Sequence, residues 1–225
     1  MRVKIFQINP SRDTEKVRFK DVKNIETVNP AIYDKVFDAV IDESNPSEIM
    51  SKINTDDHPL YMGKVIAASD VISVDDKSYI CQNEGFKEID FDGSSAHKLR
   101  NLMRVVYKEP KKPAFETEIR DDLHSMQKAV GGGLIETIKI SEDKTILVGN
   151  EESKLMGMEG NIRYANGIGI IAGPFFVCAE KGCDFRGLTD SEAELYLQRF
   201  SVPEEISQAE VEADMGYKII GFNFI

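Results

Sequence analysis

Near the middle of the chain, the run Asp92-Gly93-Ser94-Ser95-Ala96 constrains the fold more than any other feature. Five small or polar residues in a row supply no apolar surface to bury, and a new β-prone run, MRVVY from Met103 to Tyr107, opens soon after them. A chain of 225 residues divided in this way is expected to form two domains, residues 1–96 and 97–225. Apolar residues make up 41% of the sequence and are spread along both halves, enough for a packed core in each.

In the first half, VKIFQI reads as a strand running into the turn formers Asn9-Pro10-Ser11-Arg12-Asp13. Asn29-Pro30 predicts a short helix, with Ile32/Val36 and Tyr33/Phe37 paired at i, i+4, and Asn45-Pro46-Ser47-Glu48 predicts a second. The runs KVIAA, DVISV, SYICQ and GFKEIDF then predict a small sheet. In the second half, Asp121 and Asp122 open a helix whose face is Leu123, Met126 and Val130, stopped by Gly131-Gly132-Gly133. Strands are expected at LIETIKI and TILVG, and in GIGIIAGPFFVCA with a bend near Gly173-Pro174. Thr189-Asp190-Ser191-Glu192 is a capping box for a helix burying Leu195, Tyr196 and Phe200, and YKIIGFNFI reads as a closing strand. Strands and helices interleave without a regular βαβ alternation. The class is therefore α+β, two small mixed domains, each a short sheet with one to three short helices.

Net charge is −11, divided as −6 over residues 1–96 and −5 over 97–225. Affinity for nucleic acid rests on a basic footprint, and neither half has one, so direct nucleic-acid binding is disfavoured. Lys108, Lys111 and Lys112, interrupted by Pro110 and Pro113, read as a solvated loop. No window approaches the ~18 apolar residues of a membrane span, and the start of the chain turns polar too early for a signal peptide, which points to the cytosol. Cys81, Cys178 and Cys183 are expected to be reduced thiols.

No cofactor or metal site is expected from the motifs. Gly131-Gly132-Gly133 follows a helix and precedes a strand, the reverse of a phosphate cradle, and Gly167, Gly169 and Gly173 lie within a strand pattern. His58, His97 and His124 have no second ligand at metal-binding spacing, and no nucleophile signature is present. Two polar loops stand out: Asn9, Arg12 and Asp13, with an arginine able to grip a carboxylate or phosphate, and Asn54, Asp56, Asp57 and His58. Asn150-Glu151-Glu152 and Asn161-Ile162-Arg163, around Gly157 and Gly160, read either as a binding surface on irregular loops or as a solvent-facing connection.

Phe6-Gln7-Ile8-Asn9-Pro10, Arg12-Asp13, Tyr33, Val36-Phe37, Asn54, His58-Pro59, Gly63, Ser69-Asp70-Val71 and Gly85-Phe86 resemble, in order, the YodL-like domain family. Met126-Gln127, Val130-Gly131-Gly132, Ile135-Glu136, Asn150-Glu151-Glu152, Lys154-Leu155, Gly157, Asn161, Arg163, Gly173, Phe175-Phe176 and Tyr196 are similar to a family of domains of unknown function, number 3846. The resemblance implies a setting, the accessory genes of phages, plasmids and conjugative elements in Firmicutes, without implying a reaction or a site. Three functions stay open. The first is a non-enzymatic protein that binds a host protein, another macromolecule or a nucleotide-type signal, with a role against host defence. The second is an enzyme on nucleotides or nucleic acid using Arg12, Asp13, His58 and Asp70, and the third an acidic mimic of DNA.

Overall fold

The computed structural model describes residues 1–20, 27–56, 58–141, 144–164, 167, 169–182 and 184–222. The chain divides into two compact units, Met1–Arg100 and Asn101–Ile225. Both mix helices with largely antiparallel sheet, an α+β architecture.

Among the described residues, the first unit is a six-stranded sheet with one α-helix. Its strands are β1 (Arg2–Ile8), β2 (Tyr33–Val40), β3 (Val71–Val74), β4 (Lys77–Cys81), β5 (Phe86–Ile89) and β6 (His97–Lys98), in the spatial order β5-β4-β3-β1-β2-β6. The helix α1 (Pro46–Asp56) starts behind Asn45, whose side chain accepts the Ser47 amide at 2.8 Å, and buries Ile49 and Ile53. Central β1 pairs with β2 and β3 on its two sides, and a bulge between Ile5 and Phe6 shifts its register against β2. Ile5 and Phe6 are both buried as a result.

Three segments differ from the sequence expectation. Asn29-Pro30 opens only a single 3₁₀ turn, Pro30–Ile32, and the chain enters β2 at Tyr33. Tyr33, Val36 and Phe37 are aromatic or β-branched, and β1 supplies a ladder for their backbone that a lone helix would lack. The run Lys64-Val65-Ile66-Ala67-Ala68 is not a strand. Its backbone is satisfied by side chains instead: Gln7 bonds Lys64, Asn54 bonds Ile66 through both N–H and C=O, and Asp70 takes the Ala67 amide. Finally, residues 92–96 do not form an extended linker. Asp92 accepts the Ser94 amide at 3.0 Å and caps a 3₁₀ turn, Gly93–Ser95, laid on Phe6 so closely that a Cβ at Gly93 would come within 2.6 Å of Phe6 Cζ. His97–Lys98 then pairs with β2, so the first sheet continues past Ala96.

The second unit carries the sheet β8-β7-β13-β10-β9 built from β7 (Leu102–Lys108), β8 (Phe115–Arg120), β9 (Ile135–Lys139), β10 (Thr145–Asn150) and β13 (Phe175–Lys181), with β14 (Asp184–Arg186) added to β13. A separate ribbon joins β11 (Gly160–Tyr164) to β12 (Gly169–Ala172). Helices α2 (Leu123–Ala129), α3 (Asp190–Arg199) and α4 (Gln208–Phe222) complete it. The chain bends at Gly173-Pro174, between β12 and β13. Asp122 caps α2 through the Ser125 amide, and Thr189 with Glu192 forms the capping box of α3.

Here too the expectations need correction. Leu123 and Leu195 are 59% and 50% exposed; the buried faces are Met126, Ala129 and Val130 on one helix and Ala193, Tyr196 and Phe200 on the other, at i, i+3 and i+4 or i+7. The stretch around Asn161 is strand rather than loop. Lys108 is fully buried, its Nζ donating to the carbonyls of Glu109 and Lys112, while Lys111 pairs with Glu159 and Lys112 with Glu109. The closing run is helical as far as Phe222, with residues 223–225 outside those described. Its first turn explains why: Ser207 and Glu210 cap each other reciprocally, and good helix formers follow. No helix among the described residues is long and apolar enough to cross a membrane.

Candidate functional site

The end of β1 and the loops beyond it build an open cleft of about 370 Å³ in the first unit. Its polar lining is Gln7, Asn9, Arg18, Asp34, Lys64 and Asp70, with Phe19 beside them. Strand alternation supplies part of it: on β1 the side chain of Ile8 is buried while Gln7, before it, looks into the cleft.

The Asn9 turn folds on its own side chain, whose oxygen accepts the Ser11 amide at 3.0 Å while its Nδ2 donates to Asp34 at 2.7 Å. Arg12 also binds Asp34, so its charge is already matched and it does not serve as a separate anion grip; its Nε is buried with no hydrogen-bond partner. Asp13 turns back on the chain and accepts the amides of Val17 and Arg18, at 2.7 and 2.9 Å. Desolvation pulls its pKa up, but these bonds outweigh it and the carboxyl sits below its ordinary value. Asp13 therefore shapes the loop that delivers Arg18 and Phe19 to the cleft.

Arg18 lies over the Phe19 ring, 4.3 Å from its centroid, and no carboxylate among the described residues pairs with it. Phe19 itself is 59% exposed. The loop is fastened by its Phe19 amide, which donates to Ser69 Oγ at 2.8 Å. Ser69 is fully buried and holds φ at +73°, a left-handed backbone that a residue with a Cβ adopts at a cost. Tyr33 donates to the Ser69 carbonyl and β4 takes the Ser69 amide through Cys81, so the strained residue is gripped from three directions.

Asp70 follows directly. It is 6% exposed, and both of its donors, Gln7 Nε2 at 2.8 Å and the Ala67 amide at 3.0 Å, end on Oδ2. No donor among the described residues reaches Oδ1. Burial pushes this carboxyl up to about 6, against the opposing effect of its two hydrogen bonds and of the Arg18 charge. Gly63 keeps the Gln7 brace in place: a Cβ there would lie 2.6 Å from Gln7 Oε1.

His58 does not join this group. Its ring packs edge-on against Phe37 at 4.9 Å, and its Nδ1 accepts the Leu60 amide at 3.2 Å. Asn54 pins Ile66, and Asp57 lies outside the described residues. Of the residues singled out in the first half, Asn9 and Asp70 line the cleft, Arg12 and Asp13 brace it, and His58 stands apart.

The second-unit candidates do not assemble. Asn150 is buried, donating to the Gly132 carbonyl at 2.5 Å and accepting the Glu152 amide, a clamp on two turns. Glu151 is exposed. Asn161 donates to the carbonyls of Lys108 and Gly173 inside the unit, and Arg163 ties β11 to Glu204 and Glu210. All but Glu151 serve packing.

Sequence reasoning missed Arg18, Phe19, Asp34 and Lys64. Only the adjacency of a cation and an aromatic at 18 and 19 carries a signal, because the fold alone brings Asp34 and Lys64 to the same wall. Among the described residues no three His, Cys, Asp or Glu are grouped to hold a metal ion. Cys81 and Cys178 are buried free thiols whose pKa burial raises, and Cys183 lies outside the described residues.

Neither the curated proteins nor the solved structures hold a match to this chain. Both halves nevertheless match known families, and the boundary between the matches falls near that between the two structural units. The chain joins a YodL-like domain, over residues 2–91, to a domain of unknown function of the family DUF3846, over residues 103–201.

Proposed function

We propose that this chain is a cytosolic binding protein rather than an enzyme, and that its YodL-like unit holds a small nucleotide-type anion in the cleft of Gln7, Arg18, Phe19 and Asp70. The observation that carries this reading is Arg18, a cation with no ion-paired carboxylate among the described residues, laid on an aromatic ring inside a cleft of about 370 Å³. A guanidinium in that state attracts phosphate, an exposed ring offers a stacking surface, and the volume suits a mononucleotide. Lys64, on the same wall, adds a second positive charge. The strain at Ser69 fits as well, since such backbone persists where a site requires it. In an accessory protein of a phage, plasmid or conjugative element, sequestering a nucleotide signal would blunt a host defence that depends on it.

The enzyme alternative has less support. Arg12 and Asp13 are committed to Asp34 and to backbone amides, and His58 is not at the cleft. The DNA-mimic alternative requires a continuous band of carboxylates. Asp34, Asp38, Glu43, Glu116, Glu159, Glu192, Glu204 and Glu210 are each matched by Arg or Lys, which breaks such a band.

A protein partner for the second unit is favoured by one observation. Leu134, Leu155 and Met156 are exposed around the turn clamped by Asn150, whose Nδ2 lies 3.7 Å from the Met156 sulfur.

Isothermal titration of the intact chain with a panel of mononucleotides and cyclic dinucleotides tests the leading reading. Binding that Arg18→Ala weakens at least tenfold is expected, and no binding by any member of the panel contradicts it.

A further inference from the structure

Resting on the nucleotide reading above, the geometry points to Asp70 as the residue that chooses the base: we propose that its Oδ1 accepts a hydrogen bond from an exocyclic amino group, so that the cleft selects amino-bearing nucleobases over those without one.

Two observations lead there. Oδ2 already takes two donors, from Gln7 and from Ala67, which fills its lone pairs and fixes the plane of the carboxylate. Among the described residues Oδ1 takes none, and although the residue is only 6% exposed this oxygen keeps contact with solvent. An acceptor left open at the wall of a cleft can exchange water for a ligand group, and its chemistry specifies a donor.

The recessed position decides between donors. A ring N–H lies flush with the edge of a base, whereas an amino group projects from it and reaches an oxygen set back in the wall. The charged groups around Asp70 agree with this polarity. Arg18 and Lys64 line the same cleft and suit the phosphate, Asp34 is neutralised by Arg12, and Tyr33, Tyr61 and Cys81 behind it keep their protons because burial raises the pKa of each. Among the described lining residues, Asp70 is then the carboxylate left for the base, while Phe19 offers its ring for stacking.

Asn is the informative replacement, because its oxygen can take over the two donors at Oδ2 and present Nδ2, a donor, to the ligand. The probes are GMP, AMP and IMP, the last without an amino group, titrated at pH 7.5 into the wild type, Asp70→Asn, Asp70→Ser and Arg18→Ala. The wild type is expected to bind GMP or AMP at least tenfold more tightly than IMP. Asp70→Ser should bring the three to within about threefold of one another and Asp70→Asn should abolish or reverse the preference for amino-bearing bases, while Arg18→Ala weakens all three and keeps the order. Equal binding of GMP, AMP and IMP by the wild type, or a preference that survives in both Asp70 variants, overturns the assignment of Asp70 while leaving the nucleotide reading intact. Failure of all three to bind the wild type overturns the assignment of Asp70, and the nucleotide reading falls with it when the rest of the panel of mononucleotides and cyclic dinucleotides is also silent.

Discussion

The backbone amide of Phe19 donates to Ser69 Oγ at 2.8 Å, joining residues fifty positions apart, and through that bond the arginine-bearing loop is fastened to the residue next to Asp70. Asn9 and Arg12 hold the start of the loop to Asp34, and this bond holds its far end. Asp13 organises it internally, but Ser69 is what ties Phe19 to the sheet-bound part of the unit.

Ser69→Ala removes the acceptor and keeps the left-handed backbone strain. It is expected to cost about 1 kcal/mol of stability and to accelerate hydrogen exchange at the Phe19 amide. Ser69→Gly relieves the strain at φ +73° and should recover part of that stability without restoring protection at Phe19. Unchanged protection in both variants would show that the loop is held by something else.

Asp70 gives a pH signature of its own. Its folded-state pKa, about 6, lies above the ordinary 3.8, so the folded chain holds the proton more tightly than the unfolded chain. The resulting penalty is absent below the unfolded value, grows as pH rises between the two, and is complete above pH 6. A difference of that size corresponds to about 3 kcal/mol. Asp70→Asn, which keeps both hydrogen bonds at the position of Oδ2, should therefore raise stability at pH 8 by about 2 to 3 kcal/mol and change little near pH 4. Urea melts at the two pH values measure it. A variant less stable than wild type at pH 8 would mean that the carboxylate is structural.

Glu192 behaves in the opposite sense. The Arg186 guanidinium, bound through both carboxylate oxygens, holds its pKa down to about 2 against desolvation, with the Thr189 amide and hydroxyl helping. Here the folded value is depressed, so the stabilisation is present above the ordinary 4.5 and is lost as pH falls toward 2. Glu192→Gln should cost about 1 to 2 kcal/mol at pH 7, after allowance for partial exposure of the pair, and make thermal stability flatter between pH 4.5 and 2. A wild-type acid profile that already matches the variant would show that the pair contributes nothing to acid stability.

Gly93 tests whether residues 92–96 belong to the folded body of the first unit. A Cβ at this position meets the buried ring of Phe6, so Gly93→Ala is expected to destabilise by about 1 to 3 kcal/mol, far more than a substitution in a free linker. Chemical denaturation of the intact chain reads this, and a neutral effect would restore the linker view.

The sequence is most legible where one local rule decides the structure. Thr189 and Glu192 announce α3, Asp122 announces α2, and the alternation around Val3 and Ile5 announces β1. It misleads where tertiary contacts replace a local pattern. Lys64 to Ala68 looks like a strand until Gln7, Asn54 and Asp70 are seen to satisfy its backbone, and Tyr33 to Phe37 looks helical until β1 offers a ladder. Asn9, Arg12, Asp13 and Asp70 are legible as polar residues near turns, but their roles depend on partners far along the chain. Nothing local distinguishes Arg12, ion-paired with Asp34, from Arg18, which has no ion-paired carboxylate among the described residues.

Whether the cleft holds a nucleotide at all is read by an amide chemical-shift map of the intact chain, titrated with the nucleotide that binds best. Saturable shifts concentrated at Gln7, Arg18, Phe19, Lys64 and Asp70 are expected, with the second unit silent. Shifts confined to the second unit, or none at millimolar nucleotide, would contradict the cleft as a nucleotide site.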